Sequence, residues 1–131
     1  MSRYCLDTSA YSRFISGEPR VTELIDQASW IGVPAIVTGE LRAGFLQGSR
    51  PEHNERLLCE FLDHPAVEHV RVDEETAQHY SAIVHDLRRA GTPIPTNDVW
   101  IAACGVSAGA PVLTFDAHFA MVQRVGSIVL P

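Results

Sequence analysis

The stretch Tyr4-Cys5-Leu6-Asp7 is a short apolar run that ends at an acidic residue. A run of this kind is consistent with a strand buried inside a sheet. Near the other end of the chain, Val112-Leu113-Thr114 has the same character, and Asp116 follows it two residues later. We therefore predict a sheet whose buried strands lead into loops that carry acidic residues.

Outward from these two runs, the sequence alternates between strand patterns and helix patterns. The predicted strands cover 4–6, 32–37, 67–72, 112–114 and 128–130. The predicted helices cover 20–29, 39–48, 52–63, the segment between Asp73 and Gly91, the segment from Thr96 or Asn97 to Gly109, and 116–122. Strands that alternate with helices indicate an α/β fold, in which a parallel sheet carries helices on both faces.

The composition excludes several classes of enzyme. All 10 basic residues are arginine, and with 16 acidic residues the formal net charge is −6. A chain without lysine cannot supply the lysine of a Walker-type phosphate loop or of a pyridoxal Schiff base. The negative charge also argues against a general nucleic-acid coat, although it leaves room for a nuclease with a local acidic site.

The length of 131 residues predicts a single domain over 1–131. No apolar run approaches the ~20 residues of a membrane-spanning helix, and the first residues lack the core of a signal peptide. The three cysteines, Cys5, Cys59 and Cys104, show no CxxC spacing and predict reduced thiols. We expect a cytoplasmic protein with no membrane partner.

Four acidic residues lie where strands pass into helices. Asp7 follows the first strand and Asp116 follows the strand that ends at Thr114. With Thr38 as the N-cap of its helix, Glu40 would lie in the first helical turn after the second strand. Asp98 lies in the first turn of the helix after a proline-rich loop. Ligands of open α/β sheets bind at the carboxyl ends of the strands, so these acids are expected to meet at one edge.

Each acid alone has an ordinary explanation, because acids are common at helix N-termini and in turns. The four together form a costly arrangement, since two like charges ~5 Å apart repel by roughly 3 kcal/mol at an effective dielectric constant of ~20. Such a cluster must bind protons or cations. Oxygen ligands without cysteine or convergent histidine favour Mg²⁺ or Mn²⁺ over zinc.

Four segments resemble, in order and spacing, the four acidic motifs of PIN-domain ribonucleases. The segments are Leu6-Asp7-Thr8-Ser9, Thr38-Gly39-Glu40-Leu41, Ile94-Pro95-Thr96-Asn97-Asp98-Val99-Trp100-Ile101-Ala102-Ala103 and Val112-Leu113-Thr114-Phe115-Asp116-Ala117-His118-Phe119. The length and the short loops are similar to those of VapC, the toxin of VapBC toxin–antitoxin pairs. Each motif alone is weak evidence, whereas the ordered set of four is specific.

The resemblance implies a PIN-like α/β/α sandwich with a five-stranded parallel sheet of order 3-2-1-4-5. It also implies Mg²⁺-dependent endonucleolytic cleavage of RNA by metal-activated water, with Mn²⁺ as a substitute ion. By position, Asp7 and Asp98 would be the main metal ligands, and Glu40 and Asp116 would complete the quartet.

Hydroxyl groups beside the acids have two readings. Under the resemblance, Thr8 or Ser9, together with Thr114, would hold carboxylates or waters by hydrogen bonds. The alternative is that these hydroxyls only satisfy the local backbone in turns.

Contacts to substrate phosphates would fall to arginine, whose planar guanidinium suits phosphate. The candidates nearest the acidic motifs are Arg13, Arg42, Arg88 and Arg89. Arg88 and Arg89 also have a simpler explanation, because cations favour a helix C-terminus.

Histidines and aromatic residues near the motifs carry less weight. The six histidines show no ligand spacing, so His118 is only an outside candidate for acid–base chemistry. Phe119 is expected to pack against the sheet. Trp100 and Tyr11 could stack on bases, but single aromatic residues more often belong to a core or an interface.

Similarity to VapC further implies a homodimer and a VapB-like antitoxin, in a heterotetramer or a larger complex. The antitoxin segment would lie along a groove formed by the helices at 20–29, 39–48 and 52–63. The apolar residues expected to line this groove are Phe45, Leu46, Leu57 and Phe61. An antitoxin segment that carries arginine would meet the four carboxylates.

Other functions remain as alternatives. A receiver-type phosphorylation domain and a haloacid-dehalogenase-like phosphatase share the architecture, but both families need a lysine, and Asp7-Thr8-Ser9 lacks the DxD of the phosphatases. A PIN fold that binds without catalysis would be favoured by the loss of an acid, yet all four are present. A housekeeping RNA-processing nuclease is the main alternative to a toxin, and a neighbouring antitoxin gene would separate the two.

Overall fold

The computed structural model describes residues 2–131, which contain one five-stranded sheet. The strands are β1 (Arg3–Leu6), β2 (Trp30–Pro34), β3 (Val67–Val70), β4 (Val112–Thr114) and β5 (Ser127–Val129). Every neighbouring pair is parallel, and the order is β3-β2-β1-β4-β5. The predicted fold class and strand order are therefore confirmed.

Six α-helices and one 3₁₀ helix connect the strands. The α-helices are α1 (Thr8–Ile15), α2 (Pro19–Gln27), α3 (Ala35–Gln47), α4 (Pro51–Leu62), α5 (Glu74–Ala90) and α6 (Thr96–Ala108). The 3₁₀ helix spans Ala117–Met121. Gly91 and Gly109 end α5 and α6 with φ values of 69° and 65°, in the left-handed region that glycine adopts without a steric penalty.

The segment after β2 differs from the prediction. Residues 35–37 were expected in the strand, but the strand ends at Pro34 and α3 begins at Ala35. Thr38 therefore lies inside the helix, where its hydroxyl donates to the Ala35 carbonyl, and it is not the N-cap. Glu40 consequently lies in the second turn of α3 and not in the first.

Helix α1 was not predicted, because its sequence is rich in serine and threonine and has only a short apolar stripe. Asp7 begins this helix as its N-cap. The two edge strands agree better with expectation, since β5 is shifted by one residue, from 128–130 to Ser127–Val129, and β3 starts as predicted but ends at Val70 instead of residue 72. Pro95, and not Thr96 or Asn97, precedes the first residue of α6.

Helices cover both faces of the sheet. Cys5 of β1 clusters with Cys104 of α6 on one face. On the other face, Ile31 lines a cavity together with Phe14 of α1 and Phe61 of α4. No helix within residues 2–131 is both long enough and apolar enough to cross a membrane.

The register of the central strands determines which residues meet at the carboxyl edge. Leu6 of β1 is paired with Leu113 of β4, so the next residues, Asp7 and Thr114, come to lie side by side. The N–H group of Asp7 donates to the Leu113 carbonyl at 3.3 Å. The buried ends of β1 and β4 thus form the floor of the acidic edge.

Candidate active site

Asp7 is buried, with 4% of its surface exposed. Its carboxylate accepts the backbone N–H of Ala10 at 2.9 Å, the Ser9 hydroxyl at 2.8 Å and the Thr114 hydroxyl at 2.6 Å. The first of these bonds caps α1, because it satisfies an N–H group at the helix start that has no helical partner. The carboxylate is therefore fixed in position by three donors.

The hydroxyls of Thr114 and Ser9 also hold the loop that follows β4. The backbone N–H of Asp116 donates to Thr114 Oγ1 at 2.8 Å, and the N–H of Phe115 donates to Ser9 Oγ at 3.0 Å. Each hydroxyl thus donates to Asp7 and accepts from the loop. This arrangement links the position of Asp116 to that of Asp7, which is more than a local turn hydroxyl does.

Asp98, Asp116 and His118 form a cluster of donor atoms at the open side of the edge. One donor atom from each residue lies within 4.8 Å of the other two. The Nδ1 atom of His118 is 3.1 Å from Asp116 Oδ1 and 3.4 Å from Asp98 Oδ2. Asp98 is brought there by the first turn of α6, and Asp116 by its role as N-cap of the 3₁₀ helix.

Glu40 reaches the same edge from α3. Its Oε1 atom accepts the Thr8 hydroxyl at 2.6 Å, and its Oε2 atom accepts the Asn97 amide at 3.1 Å. Thr8 and Asn97 are the chain neighbours of Asp7 and Asp98. Glu40 is therefore linked to Asp7 and Asp98 through their chain neighbours, although it lies outside the cluster of three donors.

The electrostatics of the edge are those of crowded, partly desolvated carboxylates. Burial raises the pKa of Asp7, and the charge of Asp116 adds to the rise, although the bonds from Thr114, Ala10 and Ser9 oppose it. Burial likewise raises the pKa of Asp98, followed by the charge of Asp116, while His118 opposes the rise. No arginine within residues 2–131 forms an ion pair with any of the four acids.

The donor set fits a divalent cation. Two carboxylates and an imidazole converge on one point, while a third carboxylate, that of Asp7, lies close enough to raise the pKa of Asp98. Neighbouring ligands of an octahedral ion with bonds of about 2.1 Å lie about 3 Å apart, close to the separations around His118 Nδ1. The expectation that no histidine converges on the acids is wrong, because His118 does so.

Three of the four candidate arginines lie in clearly different environments. The guanidinium of Arg13 lies over the ring of Phe115, 4.9 Å from its centroid, and Arg13 forms no ion pair within residues 2–131. Arg42 forms hydrogen bonds to both carboxylate oxygens of Glu55, at 2.9 and 3.0 Å. Arg88 lines a small cavity with Tyr80 of α5 and residues of the loop before α6. Of these three, only Arg13 both contacts Phe115, the chain neighbour of Asp116, and forms no ion pair within residues 2–131 while lying beside the acidic edge.

An apolar cavity of about 360 Å³ opens between α1, α2 and α4. Leu57 and Phe61 line it, as the groove prediction requires. Phe45 and Leu46 do not line it, because Phe45 packs against the core and Leu46 is 80% exposed at the end of α3.

The aromatic residues near the motifs have packing roles. Trp100 stacks on Tyr80 with centroids 3.9 Å apart, and Tyr11 meets Phe61 edge to face. Phe119 is fully buried, as predicted.

Three polar residues at the edge were given too little weight from sequence. His118 lacks any characteristic spacing and reaches the acids only through the turn after β4. Asn97 was considered as a helix cap, yet its side chain binds Glu40. The sequence offered Ser9 only as an alternative to Thr8. In the structure both hydroxyls donate to an acid, that of Ser9 to Asp7 and that of Thr8 to Glu40. The available signal was nearness to the acids in sequence, since Asn97 precedes Asp98, Ser9 follows Asp7 by two residues and His118 follows Asp116 by two residues.

Comparison with known proteins agrees with this geometry. The PIN domain family model matches residues 4–125. Ribonuclease VapC4 from Mycobacterium tuberculosis is 36% identical over 99 residues, which are 76% of this chain and 76% of that protein. Ribonuclease VapC5 from the same organism is 28% identical over 123 residues, which are 94% of this chain and 90% of that protein.

Chains of solved VapBC structures share the fold of this chain. A chain of the DNA-bound VapBC structure from Salmonella typhimurium superimposes with a TM-score of 0.87 and 25% identity, covering 98% of both chains. A chain of VapBC-1 from nontypeable Haemophilus influenzae gives 0.85 and 23%, covering 97% of both chains. The chain belongs to the PIN-domain family and, within it, to the VapC group.

Proposed function

We propose that the protein is a metal-dependent endoribonuclease and the toxin of a type II toxin–antitoxin pair. The observation that carries the proposal is the convergence of Asp98, Asp116 and His118 beside the buried Asp7, with no arginine of residues 2–131 paired to the acids. The relatives named ribonuclease VapC4 and VapC5 support the choice of RNA as substrate.

In this proposal Asp98 and Asp116 hold the cation, whereas the resemblance implies Asp7 and Asp98 as its main ligands. Both carboxylate oxygens of Asp7 already accept hydrogen bonds, so Asp7 provides negative charge beside the cation. Mg²⁺ is the expected ion, with Mn²⁺ as a substitute, because the site is dominated by carboxylate oxygens. When bound, such a cation lowers the pKa of a water molecule and stabilises charge on the phosphodiester. Thr114 and Ser9 keep the carboxylate of Asp7 and the loop of Asp116 in one arrangement, which limits the motion of these groups during the reaction.

Glu40 completes the acidic quartet from the α3 side. Thr8 and Asn97 donate to its two oxygens, so the side chain stays directed at the edge. This arrangement suits a carboxylate that acts through a water molecule, because Glu40 lies outside the cluster of three donors.

Substrate phosphates are expected to meet Arg13 first. Its guanidinium lies 4.9 Å from the ring centroid of Phe115, and Phe115 is the residue before Asp116. No acid within residues 2–131 forms an ion pair with Arg13. Arg42 is a weaker candidate, since Glu55 already occupies its guanidinium. Arg88 remains a candidate for substrate that extends along the loop before α6.

The proposed inhibitor is a VapB-type antitoxin. The solved structures from Salmonella typhimurium and Haemophilus influenzae are VapBC assemblies, which supports a partner of this kind. The cavity lined by Leu57 and Phe61 would take apolar side chains of the antitoxin, and an arginine of the same segment would pair with the half-buried carboxylates of Asp98 and Asp116.

The decisive experiment uses purified, antitoxin-free protein and structured RNA. We expect cleavage with Mg²⁺ or Mn²⁺, none after EDTA, and none with the Asp98→Asn variant. Asp63→Asn is the matched control, because Asp63 is an exposed acid at the end of α4. Cleavage that persists in EDTA or in Asp98→Asn would contradict the proposal, and RNA binding without cleavage would favour a non-catalytic PIN module.

Growth separates a toxin from a housekeeping nuclease. Induced expression of the wild-type chain should stop bacterial growth, whereas Asp98→Asn should not, and co-expression of the small protein encoded beside it should restore growth. A chain that cuts RNA in vitro but is harmless when expressed alone would be a processing enzyme.

A further inference from the structure

His118 occupies a position that the acidic quartet does not explain. Its Nδ1 atom lies 3.1 Å from Asp116 Oδ1 and 3.4 Å from Asp98 Oδ2, so it faces both carboxylates at once. The other histidine that contacts an acid within residues 2–131, His79, meets only Glu75 at 3.6 Å on the surface of α5.

The backbone around His118 keeps the imidazole at this place. The N–H group of His118 donates to Asp116 Oδ1 at 2.9 Å, which fixes the start of the 3₁₀ helix. The next residue, Phe119, is fully buried and anchors the same turn in the core. The side chain itself is half exposed, so it can adjust to a ligand without disturbing the fold.

The separations match those between neighbouring ligands of one ion. Ligands at about 2.1 Å from an octahedral cation lie about 3 Å apart along each edge. The nitrogen of His118 has both carboxylates at nearly this distance, and all three donor atoms fall within 4.8 Å of one another. A cation held by Asp98 and Asp116 would therefore have the imidazole within its coordination sphere.

We infer that His118 is a direct ligand of the divalent cation and that it shifts the preference of the site from Mg²⁺ toward Mn²⁺ and later transition ions. This inference rests on the metal dependence in the proposed function. Imidazole nitrogen binds transition ions in preference to Mg²⁺, which favours oxygen ligands. A site with one nitrogen and two or three carboxylates discriminates between these ions in a way that an all-carboxylate site does not.

The test measures the bound ion in the absence of RNA. Mn²⁺ is added to the metal-free, full-length protein, and electron spin echo modulation is recorded with natural-abundance and with ¹⁵N-histidine protein. Mn²⁺ and Mg²⁺ dissociation constants are measured by titration. We expect nitrogen modulation that changes with the isotope, disappears in His118→Asn and persists in His85→Asn, which alters an exposed histidine of α5.

The affinities provide the second readout. His118→Asn should weaken Mn²⁺ binding about tenfold or more, and Mg²⁺ binding considerably less. Equal losses for the two ions would mean that His118 only supports the fold, and would overturn the inference. The isotope experiment uses only the wild-type protein. It therefore tests the inference even if His118→Asn fails to fold.

The outcomes also separate this inference from the proposed function. Mn²⁺ that binds the wild type, is lost in Asp98→Asn and shows no histidine nitrogen would overturn the role of His118 and leave the metal site intact. A wild-type protein that binds neither Mn²⁺ nor Mg²⁺ would overturn the metal dependence itself.

Discussion

Asp7 and Asp73 have the same local role in two regions of the molecule. Asp7 caps α1 through the N–H of Ala10 at 2.9 Å, and Asp73 caps α5 through the N–H of Thr76 at 3.0 Å. Each also accepts a threonine hydroxyl, from Thr114 at 2.6 Å and from Thr76 at 2.9 Å. Their surroundings differ, because Asp7 is buried next to other acids and Asp73 is exposed.

The two carboxyl groups respond in opposite directions. The bonds from Thr76 lower the pKa of Asp73, which is the usual result for a capping carboxylate. Burial raises the pKa of Asp7 in spite of similar bonds, and the charge of Asp116 adds to it. Capping therefore explains the lowered pKa of Asp73, whereas the charged form of Asp7 is disfavoured by burial and by Asp116, and a bound cation would favour it again. Asp73 thus has the properties of a capping acid only, and Asp7 has those expected of a carboxylate at the proposed cation site.

The largest difference between the two acids should be in catalysis. Asp7→Asn is expected to lower the rate of RNA cleavage by about two to three orders of magnitude, because it removes charge from the proposed cation site. Asp73→Asn should cleave at the wild-type rate, since asparagine also caps helices. Single-turnover cleavage measures both. Equal rates for the two variants would place Asp7 with the structural acids.

Cation binding should raise the melting temperature only when the acidic site at the edge that contains Asp7 is intact. At a hundredfold excess over the dissociation constant, a ligand of the folded state adds about 2.7 kcal/mol, or roughly 10 °C in melting temperature for a chain of this size. Wild type and Asp73→Asn should show this rise with Mg²⁺ or Mn²⁺. The melting temperature of Asp98→Asn should not rise. An undiminished rise in that variant would mean that the cation binds at another place.

The parts of this comparison that could be predicted are the local ones. Asp73 as a cap, Gly91 and Gly109 as helix ends, and Asp98 in a first helical turn all follow from short-range chemistry. The common edge could also be predicted, because the acids follow strands or begin helices and the carboxyl ends of parallel strands lie at the same edge of a sheet.

The remaining features depend on tertiary structure. Residues 35–37 are apolar and partly β-branched, so their pattern cannot distinguish a strand from the start of a helix, and only the sheet ends the strand at Pro34. The approach of His118 to Asp98 joins residues 20 positions apart through the turn after β4. No spacing in the sequence encodes such a contact.

In metal-free buffer, the stability effects of the two kinds of acid should have opposite signs. Asp73→Ala removes the bonds to Thr76 and is expected to lower the melting temperature by a few degrees. Asp98→Asn relieves charge repulsion from Asp116 and should melt at or above the wild-type temperature. Thermal unfolding followed by circular dichroism checks both. A large loss of stability in Asp98→Asn would identify Asp98 as structural.

The smallest effect is the pH dependence of these differences in metal-free buffer. The folded-state pKa of Asp98 is raised above the ordinary value of 3.8, so its contribution to stability is present below that value and is lost as pH rises through the folded-state pKa. The free energy of unfolding of Asp98→Asn, relative to that of wild type, should therefore increase as pH rises, by less than about 1 kcal/mol after solvent screening.

The pKa of Asp73 is lowered, so its contribution to stability is present above 3.8 and is lost as pH falls through the folded-state pKa. The free energy of unfolding of Asp73→Asn, relative to that of wild type, should accordingly decrease as pH rises through this range. Urea unfolding between about pH 3 and pH 7 measures the two slopes, and slopes of the same sign would remove the distinction between the two acids.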